Sequence, residues 1–184
     1  MLKFKKIRGD VDMCSRPLLG KIIMFSLPLI FTGVLQLLYN AADIIVVGRF
    51  ASAHAMAAVG STGALVNLIT NLFIGLSVGA LAAMAQAIGA HDTDSAERIV
   101  HTSMLLSVIG GVIIGLVGFF MSKYFLIWMG TPEEILDLST TYLKIFFVGM
   151  PFNLLYNFGA SILRACGDTK NPLIFLTLAG LVNV

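Results

Sequence analysis

Residues 22–48 read IIMFSLPLIFTGVLQLLYNAADIIVVG and carry one charged side chain, that of Asp43. A helix needs about 20 apolar residues to cross the hydrocarbon core of a bilayer, because each residue adds about 1.5 Å. The stretch is long enough for this, and longer than the apolar core of about 7–15 residues in a cleaved signal peptide. It therefore predicts a membrane-spanning helix that contains a single acid.

The composition extends this prediction to the whole chain. Of the 184 residues, 58% are hydrophobic and only 12% are charged, and the mean hydropathy is +0.93. Soluble domains carry about 25% charged residues, so this chain cannot cover itself with a water-compatible surface. The net charge of +2 is too small to indicate nucleic-acid binding.

Charge-free runs divide the chain into five predicted helices, which together form an all-α membrane bundle. Their expected bounds are about 22–47, 55–88, 96–122, 140–164 and 172–184, the last of them incomplete. The run 50–91 is long enough for two short helices, but no proline or polar cluster interrupts residues 55–88, which favours one. Because the fifth helix stops at Val184, well short of a full crossing, we expect the chain to be the N-terminal part of a longer protein.

Local signals predict the helix ends and the packing. Asp94 with Glu97 is typical of a capping box that opens the third helix. Residues 131–134, with Pro132 at the first helical position, predict a short interfacial helix that runs into the fourth. Gly167 suits the end of the fourth helix.

Small residues four positions apart predict that helix backbones approach closely in lipid. The pattern occurs twice, as Gly75-x-x-x-Gly79 on the second helix and Gly111-x-x-x-Gly115 on the third. We interpret both as packing faces within one bundle.

Positive charge predicts the orientation. With one span in residues 50–91, nine of the twelve lysines and arginines lie on one side, and with two spans eight do. These residues concentrate on the cytoplasmic side of membranes. Residues 1–21 are therefore expected to be a cytoplasmic N-terminal segment of a multi-pass protein in the plasma (inner) membrane. Cys14 and Cys166 both fall on that side, where a disulfide is not expected.

Asp43 belongs to a polar face of the first helix. Four residues follow the i, i+3, i+4, i+7 spacing of one helix face: Gln36, Tyr39, Asn40 and Asp43. An acid at the centre of a membrane helix costs about 2.5–3.5 kcal/mol and points to a function. Asp43 lies only four residues before Val47, so a boundary acid near the outer interface is the alternative. The polar face favours a function, in which another helix, a proton or a bound cation neutralises the carboxylate.

Other polar residues could line the same cavity. Asn153, Asn157 and Ser161 repeat every four residues of the fourth helix, and Asn67, Thr70 and Asn71 share a face of the second. Each is as compatible with interhelical hydrogen bonding as with substrate contact, but together they predict a polar interior. The histidines lack the spacing of metal ligands, and no nucleophile constellation, phosphate loop or cofactor motif is present. We therefore expect neither an enzyme nor a metal site.

Three stretches resemble one transporter family. They are PLLGKIIMFSLPLIFTGVLQLLYNAADIIVVGRF (residues 17–50), GLSVGALAAMAQAIGAHD (75–92) and ILRACGDTKNPLIF (162–175). Their most specific parts are Y-N-x-x-D in the first and R-A-x-G-D-T-x-x-P in the third. In this order they resemble the first five spans of a multidrug and toxic compound extrusion (MATE) transporter, over nearly the whole chain.

The resemblance implies a fold of two six-helix lobes related by a pseudo-two-fold axis, with alternating access between them. This chain would be an incomplete N-lobe, residues 22–184. The resemblance also implies cation coupling at Asp43, with Tyr39 and Asn183 beside it. The coupling ion would be H⁺ or Na⁺, with no other cofactor. A family acid expected four residues after Asn183 would fall beyond the chain.

The activity implied by the resemblance is multidrug efflux by cation-coupled antiport, with small organic cations or amphipathic drugs as substrates. Gln36 and Asn40 of the first helix and Asn153 and Asn157 of the fourth would line the substrate cavity. The partners would be the lipid bilayer and the rest of the transporter, and no nucleic acid.

Three alternatives stay open at this point. A related flippase for lipid-linked sugars would need a more basic cavity, and no lysine or arginine lies in the central part of these spans. A channel would need a continuous polar pore rather than one acid. A non-transporting truncated membrane remnant is the interpretation that follows if 184 residues are the entire gene product.

Overall fold

The computed structural model describes residues 18–183, with side chains from 19 to 182, as five α-helices. They are α1 (Leu18–Phe50), α2 (Ala53–Gly89), α3 (Thr93–Trp128), α4 (Glu133–Ala165) and α5 (Lys170–Asn183). The first four are long and apolar enough to cross a membrane, and α5 is a shorter apolar helix. Connections of two to four residues join them, so successive helices run in opposite directions. Most of the predicted cytoplasmic segment, residues 1–21, lies outside the described part of the chain.

The observed helices are longer than the predicted ones. Residues 50–91 hold a single helix. The interfacial helix expected after Pro132 is not a separate element, because α4 is continuous from Glu133 to Ala165. No proline or glycine occurs between Glu133 and Val148 to interrupt it. Pro132 is the N-cap residue rather than the first helical residue, and no side chain caps α4.

The cap of α3 also differs from the prediction. Asp92 forms it, and not Asp94 with Glu97: one carboxylate oxygen accepts from the Ser95 amide at 3.0 Å and the other from the Ser95 hydroxyl at 2.6 Å. These bonds hold the pKa of Asp92 below its ordinary value of 3.8. His91 adopts a positive φ of 56° just after α2, so the chain turns into α3 at Asp92.

The end of α4 was predicted correctly. Gly167 takes a φ of 86° after the last turn of α4, a backbone conformation that glycine adopts without strain. The next residue, Asp168, is buried, and its carboxylate accepts from the amides of Lys170 and Asn171 at 3.1 Å each. This acid therefore caps α5, which begins two residues before its predicted start.

Helix α4 packs closely against α3 through glycines. A Cβ added at Gly111 would lie 2.5 Å from the Pro151 Cα, and one at Gly115 would lie 2.9 Å from the Phe147 carbonyl oxygen. At Gly118 it would overlap the Phe147 ring. The packing face predicted on α3 is thus confirmed, and it receives the middle of α4.

The corresponding prediction for α2 was wrong. A Cβ added at Gly75 or Gly79 would meet nothing within 4 Å. These two glycines are exposed on the surface of the bundle, so their spacing brings no helix close.

Two serine pairs join α2 to α4. The hydroxyls of Ser61 and Ser139 lie 3.2 Å apart, and the Ser161 hydroxyl donates to the Ser77 hydroxyl at 3.1 Å in a buried position. Ser161 was grouped with the predicted cavity residues of α4. The structure instead places it in the α2–α4 interface, where it acts as an interhelical hydrogen bond.

Helix α1 is much less buried. It contacts α5 and α2, and among its described residues only Thr32 is buried. The Thr32 hydroxyl donates to the carbonyl of Pro28 one turn earlier, at 2.8 Å. Thr32 therefore marks the face of α1 that is turned towards the other helices.

Candidate functional site

The polar residues of α1 lie on or beside the face marked by Thr32. Residues seven positions apart differ by only about 20° around a helix, so Tyr39 lies almost directly above Thr32, and Asp43 almost directly above Gln36. Tyr39 is half-buried, whereas Gln36, Asn40 and Asp43 are exposed on the bundle that the structure describes. We call these four residues the α1 stripe. They form a polar surface that starts at the contact with α5 and stays open beside it.

Tyr39 of the α1 stripe contacts α5 directly. Its hydroxyl donates to the Thr177 carbonyl of α5 over a long distance of 3.5 Å. Its ring occupies the space beside Gly180, where any Cβ would overlap it. A glycine on α5 thus provides the space for the Tyr39 ring. The sequence had given no sign of this contact.

The backbone position of Asn183 follows from the same contact. Helices α1 and α5 run in the same direction, because three reversals precede α4 and a fourth precedes α5. Asn183 comes three residues after Gly180, and Asp43 comes four after Tyr39. The backbone of Asn183 therefore lies about one turn beyond the contact, at the depth of Asp43. Its side chain lies outside the described residues, and its predicted role stays a prediction.

Asp43 acts electrostatically on a residue that the sequence did not suggest. Its carboxylate lies within electrostatic reach of Tyr142 in α4, a residue on which burial has the larger effect, although α1 and α4 do not pack against each other. One signal could have identified Tyr142: it comes eleven residues before the predicted cavity residue Asn153. That spacing leaves only about 20° between them around a helix.

The α4 amides form a pair of their own. The Asn157 side-chain amide donates to the backbone and side-chain oxygens of Asn153, at 2.9 and 2.8 Å. Both residues are half-buried. They lie about 16–23 Å along α4 from Tyr142, towards the other end of the bundle. The structure therefore separates the predicted residues into two groups. One is the α1 stripe, and the other is the Asn153–Asn157 pair.

The α1 stripe combines groups that can bind a cation. The carboxylate of Asp43 is an acceptor for a proton, for Na⁺ or for an organic cation, and the amides of Gln36 and Asn40 add neutral oxygen acceptors. Within residues 18–183, no three His, Cys, Asp or Glu side chains are grouped as a metal ion would require. The chemistry available here is reversible binding of a cation at one carboxylate.

Comparisons with known proteins agree on one family. The model of the MatE family matches residues 28–184. Over 172 residues the chain is 30% identical to the probable multidrug resistance protein YpnP of Bacillus subtilis strain 168, covering 94% of this chain and 39% of that protein. Over 161 residues it is 32% identical to the probable multidrug resistance protein YoeA of the same strain, covering 88% and 35%.

A solved structure shows the same arrangement of helices. It is a crystal structure of a MATE protein in complex with MaD3S, matched with a TM-score of 0.80 and 31% identity over 86% of this chain and 36% of that one. The chain thus spans less than two fifths of the length of these relatives, which corresponds to part of one lobe.

Proposed function

Because this chain belongs to the MatE family of multi-pass membrane transporters, we propose that it forms part of the N-terminal lobe of a multidrug efflux transporter. In this proposal H⁺ or Na⁺ enters in exchange for a small organic cation or an amphipathic drug. Relatives carry the name of multidrug resistance proteins, and this supports the substrate class.

The observation that carries the proposal is the position of Asp43 relative to the neighbouring helices. This carboxylate lies one turn beyond the Tyr39–Gly180 contact between α1 and α5, and within electrostatic reach of Tyr142 of α4. Gln36 and Asn40 lie next to it on the exposed surface, where a substrate can approach.

The proposed mechanism is a competition for one negative charge. When a proton or Na⁺ binds Asp43, the charge that attracts a cationic drug and acts on Tyr142 is neutralised. A change of charge at this point favours one arrangement of α1 relative to α4 and α5 over another. Drug release and ion binding are thereby linked without a catalytic step, as in a transporter rather than an enzyme.

The proposed setting is the plasma (inner) membrane with the N-terminus in the cytoplasm. The positive charge on the side of the N-terminus supports this orientation. The α2–α3 and α4–α5 connections would then face the cytoplasm. The Asn153–Asn157 pair would lie in the cytoplasmic half of the lobe, and Asp43 in the outer half.

The test is drug efflux driven by an ion gradient in proteoliposomes that contain the full-length transporter. We expect Asp43→Asn to abolish ion-driven efflux while membrane insertion and folding are retained, because asparagine keeps the size of the side chain and removes its titratable charge. Asp137→Asn is the matched control, since Asp137 is an exposed acid near the start of α4. Efflux at the wild-type rate in Asp43→Asn would exclude the proposed role.

A further inference from the structure

A second polar region lies at the opposite end of the bundle from the α1–α2 connection. It is a cavity of about 420 Å³ on the first turns of α3. Its lining residues are Asp94, Glu97, Arg98, His101 and Thr102. Two carboxylates, one guanidinium and one imidazole thus share a small exposed space that no part of the proposed transport site uses.

An apolar groove continues from this cavity between α2 and α3. Arg98 and Thr102 line both spaces, and the groove has a volume of about 350 Å³. Its walls include Gly79 of α2 and Leu106 of α3, and the buried ring of Phe158 from α4 lines it as well. A Cβ added at Gly79 would meet nothing within 4 Å, so the groove is open at this position.

The groove is exposed on the bundle that the structure describes, and it runs along α3. Leu76 and Leu106 in its walls are 52% and 55% exposed, on helices apolar enough to span a membrane. From Arg98 to Leu106 the rise along α3 is about 12 Å. A polar space near the start of α3 therefore opens into an apolar slot that leads towards the middle of the helix. This is the shape of a lipid with its headgroup and the upper part of one chain.

We propose that the α2–α3 groove binds a zwitterionic phospholipid whose headgroup ends in a primary ammonium. In the bound state the Arg98 guanidinium pairs with the phosphate, since its planar donors match phosphate oxygens. Asp94 and Glu97 accept hydrogen bonds from the ammonium, and one acyl chain lies along Gly79 and Leu106.

The charges of the cavity select this headgroup over others. Arg98 uses one N–H on the Ser95 hydroxyl at 3.3 Å, and a guanidinium has four more donors. A purely anionic headgroup would place its charge beside Asp94 and Glu97, which repel it. A quaternary ammonium has no N–H to donate to either carboxylate. A headgroup that ends in a primary ammonium carries no net negative charge and has N–H groups to donate to both carboxylates.

The existing contacts leave the acids accessible to a lipid. Glu97 approaches the His101 ring at 3.8 Å, with 53% and 77% of the two side chains exposed. So long a contact between exposed groups is weak. An ammonium can therefore replace it at small cost.

The test is native mass spectrometry of the purified full-length transporter, titrated with phosphatidylethanolamine, phosphatidylcholine and phosphatidylglycerol of identical acyl chains. We expect the ethanolamine lipid to be retained severalfold more than the other two. Equal retention of all three lipids, or preference for the choline or the anionic lipid, would overturn the proposal.

Two variants, each with a matched control, test where the lipid binds. Arg98→Gln should remove the preference for the ethanolamine lipid, whereas Arg49→Gln, at the far end of α1, should keep it. Gly79→Leu should lower retention of all three lipids by filling the groove, and Gly60→Leu, on an open position of the same helix, should not. Lipid retention unchanged by Arg98→Gln and by Gly79→Leu would place the lipid elsewhere. Since none of these residues belongs to the transport site, the outcome is independent of drug efflux.

Discussion

Helices α1 and α4 have the same length of 33 residues and opposite surroundings. Helix α4 lies between α2 and α3 and buries eleven residues along its length. Among the described residues of α1, only Thr32 is buried. The first helix is nevertheless the one that carries Asp43 and the rest of the α1 stripe. The bundle therefore separates a tightly packed frame, α2–α3–α4, from a lightly attached pair, α1 and α5.

The difference indicates which part of the lobe can move. Rearrangement of the frame would have to separate backbones that touch at Gly111 and Gly115, and dense interiors resist such changes. The Tyr39 ring and one long hydrogen bond hold the α1–α5 pair together. The pair meets the frame through contacts of α1 with α2 and of α5 with α4, which include the hydrogen bond from the Tyr156 hydroxyl to the Pro172 carbonyl at 3.2 Å. Segments with few buried contacts open at low free energy. In the proposed mechanism, a change of charge at Asp43 would act on this pair.

The largest effect on stability is expected from Gly111→Ala. The added methyl group would lie 2.5 Å from the Pro151 Cα, so backbone must shift, at a cost of about 1–3 kcal/mol. The measurement is the free energy of unfolding in mixed micelles, followed by circular dichroism. Gly60→Ala is the control, because its Cβ meets nothing within 4 Å. If the free energy of unfolding falls equally little in both variants, α2–α3–α4 is not the rigid frame described above.

A smaller effect is expected from Gly180→Ala. The new methyl group displaces the Tyr39 ring, which can rotate away, so the loss should be no more than about 1 kcal/mol. Hydrogen exchange should increase in α1 around residues 36–43 and stay unchanged in α3 and α4. Gly33→Ala, an open position on α1, should leave exchange as it is. Faster exchange throughout α4 after Gly180→Ala would show that the two regions are not separate.

A double-mutant cycle on Ser77 and Ser161 measures a single link within the frame. Each serine is replaced by alanine alone and then both together. Interhelical hydrogen bonds in membranes contribute about 0.6 kcal/mol on average, and this is the coupling energy expected for the buried pair. The pair Ser61–Ser139, which is only partly buried, should give less. A coupling of zero for Ser77 and Ser161 would leave glycine packing as the main contact between α4 and its neighbours.

The smallest effect is expected at the cap of α3. The pKa of Asp92 is lowered, chiefly by the hydrogen bond from the Ser95 hydroxyl, so the folded state favours the carboxylate. Its contribution is therefore present above the ordinary pKa of 3.8 and is lost as the pH falls through the lowered pKa. The melting temperature of wild type should slightly exceed that of Asp92→Ala near neutral pH, and the difference should vanish in acid. If the difference in melting temperature persists in acid, Asp92 does not stabilise α3 as an ionised helix cap.

The sequence predicted the five helices and their order because hydrophobic length is a local property. It did not predict which acid caps α3, since Asp92 and Asp94 both precede the helical pattern and the backbone turn at His91 decides between them. Nor did it predict that Gly111 packs while Gly79 stays open. That outcome depends on which residue of another helix lies opposite each glycine, and spacing within one helix contains no such information.

The sequence predicted the candidate site about as far as it predicted the fold: it grouped residues within one helix but not between helices. Helix periodicity places Gln36, Tyr39 and Asp43 together, and the structure shows the same face turned towards α5 through Tyr39. The electrostatic link from Asp43 to Tyr142 depends on the relative depth of two helices that do not pack against each other. Ser161 shares the spacing of Asn153 and Asn157, yet the rotation of α4 buries it against α2. Local spacing thus grouped the residues of one helix but could not assign their neighbours.

The two-residue connection between α1 and α2, residues 51–52, makes α1 a lever with its pivot at one end. The helix is about 50 Å long, so a rotation of about 5° at this connection displaces the end near Leu18 by about 4 Å. Asp43 lies only about 12 Å from the pivot and moves by about 1 Å in the same rotation. The acid therefore moves little while the distant end of the helix moves several times farther.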